Sequence, residues 1–217
     1  MSIIPLKFDL HVHTNYSPDG FSSVKETLKI AKLRALNGLA ITDHDTTSAI
    51  NEALKLKGDL VIIPGAEIST ENGHLLALGI TETIQSKLPM VDTIEKIHEL
   101  GGIAVIPHPC MLFSCVNKSI LEKSKIDAIE VINSKLFPFY KKIEQSKRLA
   151  EQLKKPQTAG SDAHLPSEIG GAYTIIFSKS TEIDDILHAV KQGKTEVYGI
   201  PTPLILRMKK LMLQFLK

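Results

Sequence analysis

The sequence has few cysteines and little net charge, and both features narrow the class of protein. Its two cysteines, Cys110 and Cys115, lie close together in a loop-like stretch, unlike the evenly spread framework of a secreted disulfide-rich domain. The formal net charge is +2 over 217 residues, which does not indicate a protein that binds long nucleic acids or a charged membrane surface. We therefore expect a protein of the reducing cytoplasm.

Long apolar runs are also missing from the sequence. No run approaches the about 20 residues needed to span a bilayer, and the first residues lack the basic region and continuous apolar stretch of a signal peptide. Repeats, low-complexity segments and linkers rich in proline or glycine are absent as well. With 43% hydrophobic residues, the chain can bury a substantial core. We expect one soluble domain over residues 1–217, without a transmembrane segment; the oligomeric state is left open.

Short apolar runs rich in branched residues predict buried strands, and helical spacing separates several of them. The strands are predicted over residues 8–13, 38–42, 60–63, 75–79, 103–106, 128–132 and 173–177. The clearest helical segments are residues 24–36, 91–100 and 143–153, with Gly38, Gly101 and Pro156 marking their ends. This alternation favours an α/β fold with a parallel sheet, either closed as a barrel or open and doubly wound.

The last residues, 203–217, combine apolar side chains with lysines at helical spacing. They predict a basic amphipathic helix at the C-terminus. Such a helix either packs on the body of the domain or serves a membrane surface or a partner.

Histidines stand out, because six of the eight lie at or just beyond the C-terminal end of a predicted strand. Folds of the α/β class place their active sites there. His11 and His13 face the same side of one strand, together with Asp9, so both imidazoles could reach one metal ion. A hydrogen-bonded core pair is the alternative. Asp19 follows in a turn that can fold back over the strand end.

The next two predicted strands add further donor groups. His44 lies between two aspartates, one of which could orient its ring, while Asp45 or Thr46 could instead cap the helix that follows. Glu67 follows an apolar strand, where a buried carboxylate is costly unless it is paired or bound to metal. Its two oxygens suit a bridge between two ions. His74 begins a strand, so ligand and structural roles both remain open for it.

The second half of the chain supplies the remaining candidates. His108 lies between two prolines that fix its backbone direction, and Glu130 could pair with a ligand imidazole from behind. Asp162 and His164 form another pair after small residues that allow close backbone approach. Packing does not explain so many donor groups at successive strand ends. A set of imidazoles and carboxylates without thiolates suits zinc, manganese or iron.

The motifs that carry these residues resemble the PHP family, named for its polymerase and histidinol phosphatase members. They are DLHVHTNYSPDG, ITDHDT, PGAEIST followed by GHLLALGI, GGIAVIPHP, IEVIN and AGSDAH. The resemblance implies a distorted (β/α)7 barrel that holds two or three divalent transition-metal ions. It also implies nine metal ligands: His11, His13, Asp19, His44, Glu67, His74, His108, Asp162 and His164.

One segment departs from related nucleotide phosphatases and RNA exonucleases of the family. Those members carry a helical insertion between the histidines that match His74 and His108. In this sequence the same stretch is short and is predicted to form a single helix. The departure leaves the substrate open, because the insertion would help to enclose it.

The resemblance predicts a phosphoesterase that acts on a small phosphorylated substrate, namely a phosphomonoester, a nucleotide or an RNA end, without a stable nucleic-acid complex. In our hypothesis, two metal ions share Glu67 as a ligand and hold a hydroxide between them. This hydroxide attacks phosphorus. The ion bound by Asp19, His44 and His164 would then stabilise the departing or non-bridging oxygen. Glu67, Asp19 and His44 are therefore the predicted catalytic residues.

Two other functions remain open, a hydrolase resembling the amidohydrolases and a metal-binding module without activity. Three arginines occur, at positions 34, 148 and 207. Arg148 is a candidate phosphate clamp, and surface salt bridging is the alternative for all three.

Overall fold

A computed structural model describes residues 3–110 and 116–216, so Cys115 lies outside the described residues. The strands are β1 (Ile4–Val12), β2 (Gly38–Ile41), β3 (Val61–Thr70), β4 (Gly73–Leu78), β5 (Ile103–Ile106), β6 (Ala128–Asn133), β7 (Gln157–Gly160), β8 (Ala172–Ser178) and β9 (Thr195–Gly199). The helices are α1 (Val24–Leu33), α2 (Ile50–Leu56), α3 (Met90–Glu99), α4 (Lys118–Lys123), α5 (Phe139–Gln152), α6 (Ile183–Lys191) and α7 (Leu204–Phe215), with a short 3-10 helix at Pro166–Glu168.

The strands form one mixed sheet in the order β7-β6-β5-β4-β3-β2-β1-β8-β9. Neighbours are parallel from β1 to β3 and from β5 to β7, whereas β4, β8 and β9 pair antiparallel with their neighbours. The prediction of a parallel sheet was therefore wrong for about half of the pairings. For β4 the reason is local, since β3 and β4 are joined by a tight hairpin that leaves no room for a crossover helix.

The sheet is nearly closed, which confirms the distorted barrel and removes the open doubly wound alternative. Closure occurs between β1 and the segment that follows β7, where Val12 forms a parallel bridge with Ala163. The Asp162 amide donates to the carbonyl of His11 at 2.8 Å, and the His13 amide donates to the carbonyl of Ala163 at 2.9 Å. Glycine is required at position 160, because a Cβ there would lie 2.4 Å from the Cβ of His11.

Two strands escaped prediction because their residues do not follow the apolar pattern of a buried strand. Strand β7 reads QTAG and is made of polar and small residues, and β9 reads TEVYG with partly exposed side chains throughout. Gly38 was also misinterpreted as the end of α1. It belongs to β2, where a Cβ would lie 2.3 Å from the Phe8 ring, while α1 already ends at Leu33 and Ala35 takes a positive φ of 51°.

The connection between β4 and β5 contains one helix, α3, as predicted from the sequence. Helix α7 lies at the other end of the chain and has no fully buried side chain among its described residues. Its large exposed apolar side chains are Leu204, Ile205, Met208, Leu211, Met212 and Phe215. Within the described part of the chain, no helix is long and apolar enough to cross a membrane.

Arg207 attaches α7 to the body of the domain. Its guanidinium donates to the backbone carbonyls of Ser134, Lys135 and Leu136 at 3.2, 3.0 and 3.3 Å. Arg207 therefore binds the loop between β6 and α5, and surface salt bridging is the wrong description of this arginine. Helix α7 packs on the body through polar contacts and leaves most of its apolar side chains exposed.

Asp127, just before β6, ties three elements together. Its Oδ2 lies 2.7 Å from His98 Nε2 of α3 and accepts from the Ala104 amide of β5 at 2.8 Å. Its Oδ1 lies 3.1 Å from Lys191 Nζ of α6. Burial alone would raise the pKa of Asp127, but the hydrogen bond from Ala104 and the contacts with His98 and Lys191 outweigh burial and lower it.

We predict that Asp127→Asn lowers the free energy of unfolding by about 1–3 kcal/mol at pH 7, because an amide replaces a carboxylate that accepts charged hydrogen bonds. A lowered carboxyl pKa stabilises the fold above the unfolded-state value, and that stability is lost as the pH falls through the folded-state value. The deficit of the variant should therefore persist from pH 7 down to about 4 and shrink as the pH falls below 3.8, the usual value for this carboxyl. Urea unfolding across this range measures it.

Asp59→Asn is the matched control, since Asp59 is exposed. This control should unfold like the wild-type protein at every pH. A deficit in Asp127→Asn that stays constant with pH would contradict a role for the ionised carboxylate.

Candidate metal centre

All nine predicted ligands meet at one end of the barrel, around a pocket of about 330 Å³. The positions follow the strand order, because each residue lies in or just after a strand or in the loop behind it. The residues come from β1 and its following loop (His11, His13, Asp19), from the end of β2 (His44), from β3 and β4 (Glu67, His74), from the end of β5 (His108) and from the segment after β7 (Asp162, His164).

Glu67 lies at the centre of this arrangement. Its Oε2 faces the Nε2 atoms of His11 and His13 at 3.0 and 3.1 Å. Its Oε1 faces His74 Nδ1 and His108 Nε2 at 3.0 and 3.1 Å. One buried carboxylate thus stands between two pairs of imidazoles, and His74, which the residues alone left undecided, belongs to the cluster.

A second group of donors lies beside the first. His164 Nε2 is 2.8 Å from Asp19 Oδ2, and His44 Nε2 is 3.8 Å from Asp19 Oδ1. Ligand atoms of His13, Asp19, His44 and His164 all lie within 4.8 Å of one another. Asp19 Oδ1 is buried and has no hydrogen-bond partner among the residues that the structure describes, so this oxygen is available to bind a cation.

The far sides of the ligand rings are held by further residues. His11 Nδ1 lies 3.1 Å from Glu130 Oε1, and the His108 amide donates to Glu130 Oε2 at 2.9 Å. Glu130 therefore supports a ligand imidazole from behind, as expected. His13 Nδ1 lies 3.1 Å from the hydroxyl of Ser17, which also accepts from the His44 amide at 2.8 Å. Ser17 was not predicted, since nothing in a serine of a turn marks it as a support.

Three aspartates near the motifs have structural roles instead. Asp9 accepts hydrogen bonds from the amides of Ser161 and Gly170, each at 2.8 Å. Asp43 accepts from the amide and hydroxyl of Thr14 at 2.6 and 2.8 Å. Asp45 accepts from the amide of Ser69 at 2.7 Å.

Two expectations about the segment around His44 were therefore wrong. The carboxylate of Asp43 is engaged by Thr14, and that of Asp45 by Ser69. Neither Asp45 nor Thr46 caps α2, because that helix begins only at Ile50 and Ala49 occupies the cap position.

Carboxylates and imidazoles strongly influence one another in this site. Burial disfavours the charged form of His13, but hydrogen bonds to Asp162 and Glu67 outweigh burial and raise its pKa to about 9. His11 behaves in the same way through the charges of Glu67 and Glu130, and its pKa is raised well above the usual value. At His44, burial prevails and lowers the pKa to about 4. The surrounding carboxylates thus favour the protonated form of the inner rings, and these rings would have to release a proton to bind metal.

The donor groups fit metal ions. Ligand atoms at about 2.0–2.2 Å from a common ion lie roughly 3–4 Å from each other, and the Nε2 atoms of His11 and His13 are 3.1 Å apart. The Nδ1 atoms of the same rings contact Glu130 and Ser17, which leaves both Nε2 atoms facing the centre. Imidazole and carboxylate ligands suit divalent transition metals.

Four residues that the sequence did not reveal as part of the site also line the pocket: Lys135, Phe137, Arg207 and Lys210. Lys210 Nζ lies 3.0 Å from Asp19 Oδ2, although the two residues are far apart in the chain. Lysines at helical spacing in α7 were visible in the sequence, but nothing there indicated where the helix docks. Arg148 is exposed on α5, pairs with Glu144 and does not line this pocket, so the candidate phosphate clamp was wrong.

Sequence comparisons connect the chain to known proteins. Residues 142–195 match the family model PHP_C, described as PHP-associated. The chain is 35% identical over 144 residues to the uncharacterized protein MJ1587 of Methanocaldococcus jannaschii, covering 59% of this chain and 82% of the relative. It is 30% identical over 178 residues to the uncharacterized protein MJ0417 of the same organism, covering 77% and 69% respectively.

A 5'-3' exoribonuclease from Haemophilus influenzae is a more distant relative. It is 30% identical over 105 residues, which span 46% of this chain and 38% of the exoribonuclease. The shared region is thus well under half of the enzyme.

Solved structures share the fold. A two-domain protein from Bacteroides vulgatus containing a predicted PHP-like metal-dependent phosphoesterase matches with a TM-score of 0.76 at 18% identity, over 91% of this chain and 66% of that chain. PsfC from Pseudomonas syringae matches with a TM-score of 0.70 at 20% identity, over 99% and 98%. The match to PHP_C and the fold shared with the PHP-like structure agree, and this chain belongs to the PHP family.

Proposed function

We propose that the protein is a metal-dependent phosphoesterase that uses two or three divalent ions of zinc, manganese or iron. One ion would be held by His11, His13, Glu67 and Asp162, a second by Glu67, His74 and His108, and a third by Asp19, His44 and His164. The observation that carries the proposal is the position of Glu67, whose two oxygens face two separate groups of imidazoles. A carboxylate in that position would be able to bind one ion with each oxygen.

Bound ions would neutralise phosphate oxygens and lower the pKa of a water molecule towards neutrality. The residues of the chain divide the remaining work. His11 and His13 are fully buried, so they hold metal without touching substrate. Asp19 and His44 line the pocket, as do Glu67, His74, His108, Asp162 and His164, so these ligands would face a bound phosphate. With its lowered pKa, His44 is a neutral imidazole at pH 7 and can serve as a ligand.

We further propose a small phosphorylated substrate, such as a phosphomonoester, a nucleotide or an RNA end. The pocket of about 330 Å³ suits a small ligand, and the net charge of +2 gives no support to a stable complex with long nucleic acid. The exoribonuclease relative acts on RNA ends, which favours a nucleotide substrate. Phe137 is 65% exposed at the pocket, and its ring offers a surface on which a base can stack.

We propose that residues 1–217 form one PHP domain, with α7 as part of it. A cytoplasmic location stays a prediction from the low cysteine content, and the disulfide-bonded state of Cys110 does not support it.

Glu67→Gln should remove the bridge between the ion groups, because an amide keeps the size of the side chain but loses the charge and one metal-binding oxygen. We predict a lower metal content and a loss of kcat/KM for phosphate esters of more than about 100-fold, the upper end of what loss of a supporting residue costs. Elemental analysis and phosphate release from a panel of nucleotides, with added manganese, measure both.

The control is Glu71→Gln, which changes an exposed glutamate in the hairpin after β3. This variant should match the wild-type protein in metal content and rate. A Glu67→Gln protein with full activity would refute the bridging role. Metal-bound wild-type protein that cleaves amides but not phosphate esters would instead indicate the amidohydrolase-like function. Metal-bound wild-type protein that cleaves neither would indicate a metal-binding module without activity.

Phe137→Ala tests the nucleotide substrate. Loss of one stacked base costs about 1–3 kcal/mol, so KM for a nucleoside monophosphate should rise at least about 5-fold. KM for glycerol phosphate, which has no ring to stack, should stay within about 2-fold. Steady-state kinetics with both substrates decides, and an equal rise for both would argue against stacking on Phe137.

A further inference from the structure

The C-terminal helix α7 places a lysine inside the pocket of the candidate metal centre. Lys210 Nζ lies 3.0 Å from Asp19 Oδ2, and its side chain is 20% exposed. The position of α7 is fixed by Arg207, whose guanidinium is occupied by the carbonyls of residues 134–136. Arg207 is therefore a positioning residue, and Lys210 is the cation that α7 presents to the pocket.

A second ammonium group lines the same pocket. Lys135 pairs with Glu168, whose Oε2 accepts from the amides of His164 and Leu165 at 2.9 and 3.0 Å. Glu168 is thereby fixed, and it fixes Lys135 in turn. Lys135 and Lys210 therefore bring two ammonium groups to the lining of one pocket.

Charge balance in the pocket explains what Lys210 is suited to bind. Asp19 is the carboxylate that pairs with Lys210 in the described residues, and it is also one of the proposed metal ligands. A divalent ion on Asp19 would neutralise that carboxylate, so the ammonium group would then attract another anion. A phosphate oxygen bound beside the ion would be within its reach, and charge-assisted hydrogen bonds of this kind are among the strong ones.

We propose that Lys210 of α7, together with Lys135, binds the anionic phosphate oxygens of the substrate beside the metal ions, so that the C-terminal helix is part of the active site. This inference rests on the proposed phosphoesterase function. It assigns a substrate-contacting role to a helix that the motifs of the barrel do not include.

The test uses the full-length, metal-loaded protein and compares Lys210→Ala with Lys209→Ala. Lys209 is exposed on the same helix and does not line the pocket, so it controls for a general loss of positive charge. We expect the Kd for inorganic phosphate, measured by isothermal titration, and the KM for a phosphate ester to rise about 10-fold or more in Lys210→Ala. The Lys209→Ala protein should stay near wild-type values. Lys210→Arg should recover much of the binding.

Two further measurements distinguish failure of the Lys210 contact from failure of the proposed phosphoesterase function. Metal content and circular dichroism should be unchanged in Lys210→Ala; loss of metal would show that the lysine acts through Asp19 and would overturn the contact with substrate. Phosphate binding that is equal in Lys210→Ala and Lys209→Ala would overturn it too. A wild-type protein without phosphoester hydrolysis would refute the proposed function, while the phosphate titrations would still decide whether Lys210 binds the anion.

Discussion

The buried carboxylate of Glu67 is the group on which the arrangement of the site depends. It is 1% exposed and surrounded by imidazoles that come from four different strands or strand ends. Burying so many ionisable groups is costly unless their charges compensate one another. Here protons shared among the histidines provide that compensation, and metal ions are the cations that the same geometry favours. The strand ends therefore bring their imidazole nitrogens to within about 3 Å of the Glu67 carboxylate, a spacing that suits ligands of a common metal ion.

Closure of the barrel makes this convergence possible. The residues at the start and at the end of the barrel, His11 and Asp162, meet only because the segment after β7 pairs with β1. Asp9 holds that junction from below the ligands, through the amides of Ser161 and Gly170. Asp9, which strand geometry placed on the same side as His11 and His13, thus holds the junction between β1 and the segment after β7. The small side chains at the end of β7 serve the same purpose by letting the backbones approach.

The candidate ligands and their meeting at one end of the barrel could be predicted from the sequence, whereas the elements around them could not. Residues two apart on a strand must share a face, and strand ends in such folds meet at one edge, so His11, His13, Asp162 and His164 followed from simple geometry. Strand β9 and the cap of α2 could not be predicted in this way, because tertiary packing determines strand pairing and turn contacts. The position of α7 on the domain could not be predicted for the same reason. Arg207 attaches the helix by binding backbone carbonyls, which carry no residue-specific signal.

The attachment of α7 has a consequence for how the pocket behaves in solution. One wall of the pocket carries the candidate ligands and is built from buried strand ends. The opposite wall is α7, which is held by the guanidinium of Arg207 and the ammonium group of Lys210 and has no fully buried side chain among its described residues. Segments with few buried apolar contacts open at a free energy well below that of global unfolding. Amides of α7 should accordingly exchange hydrogen faster than those of β1 or β3, so the two sides of the pocket should differ in how often they open.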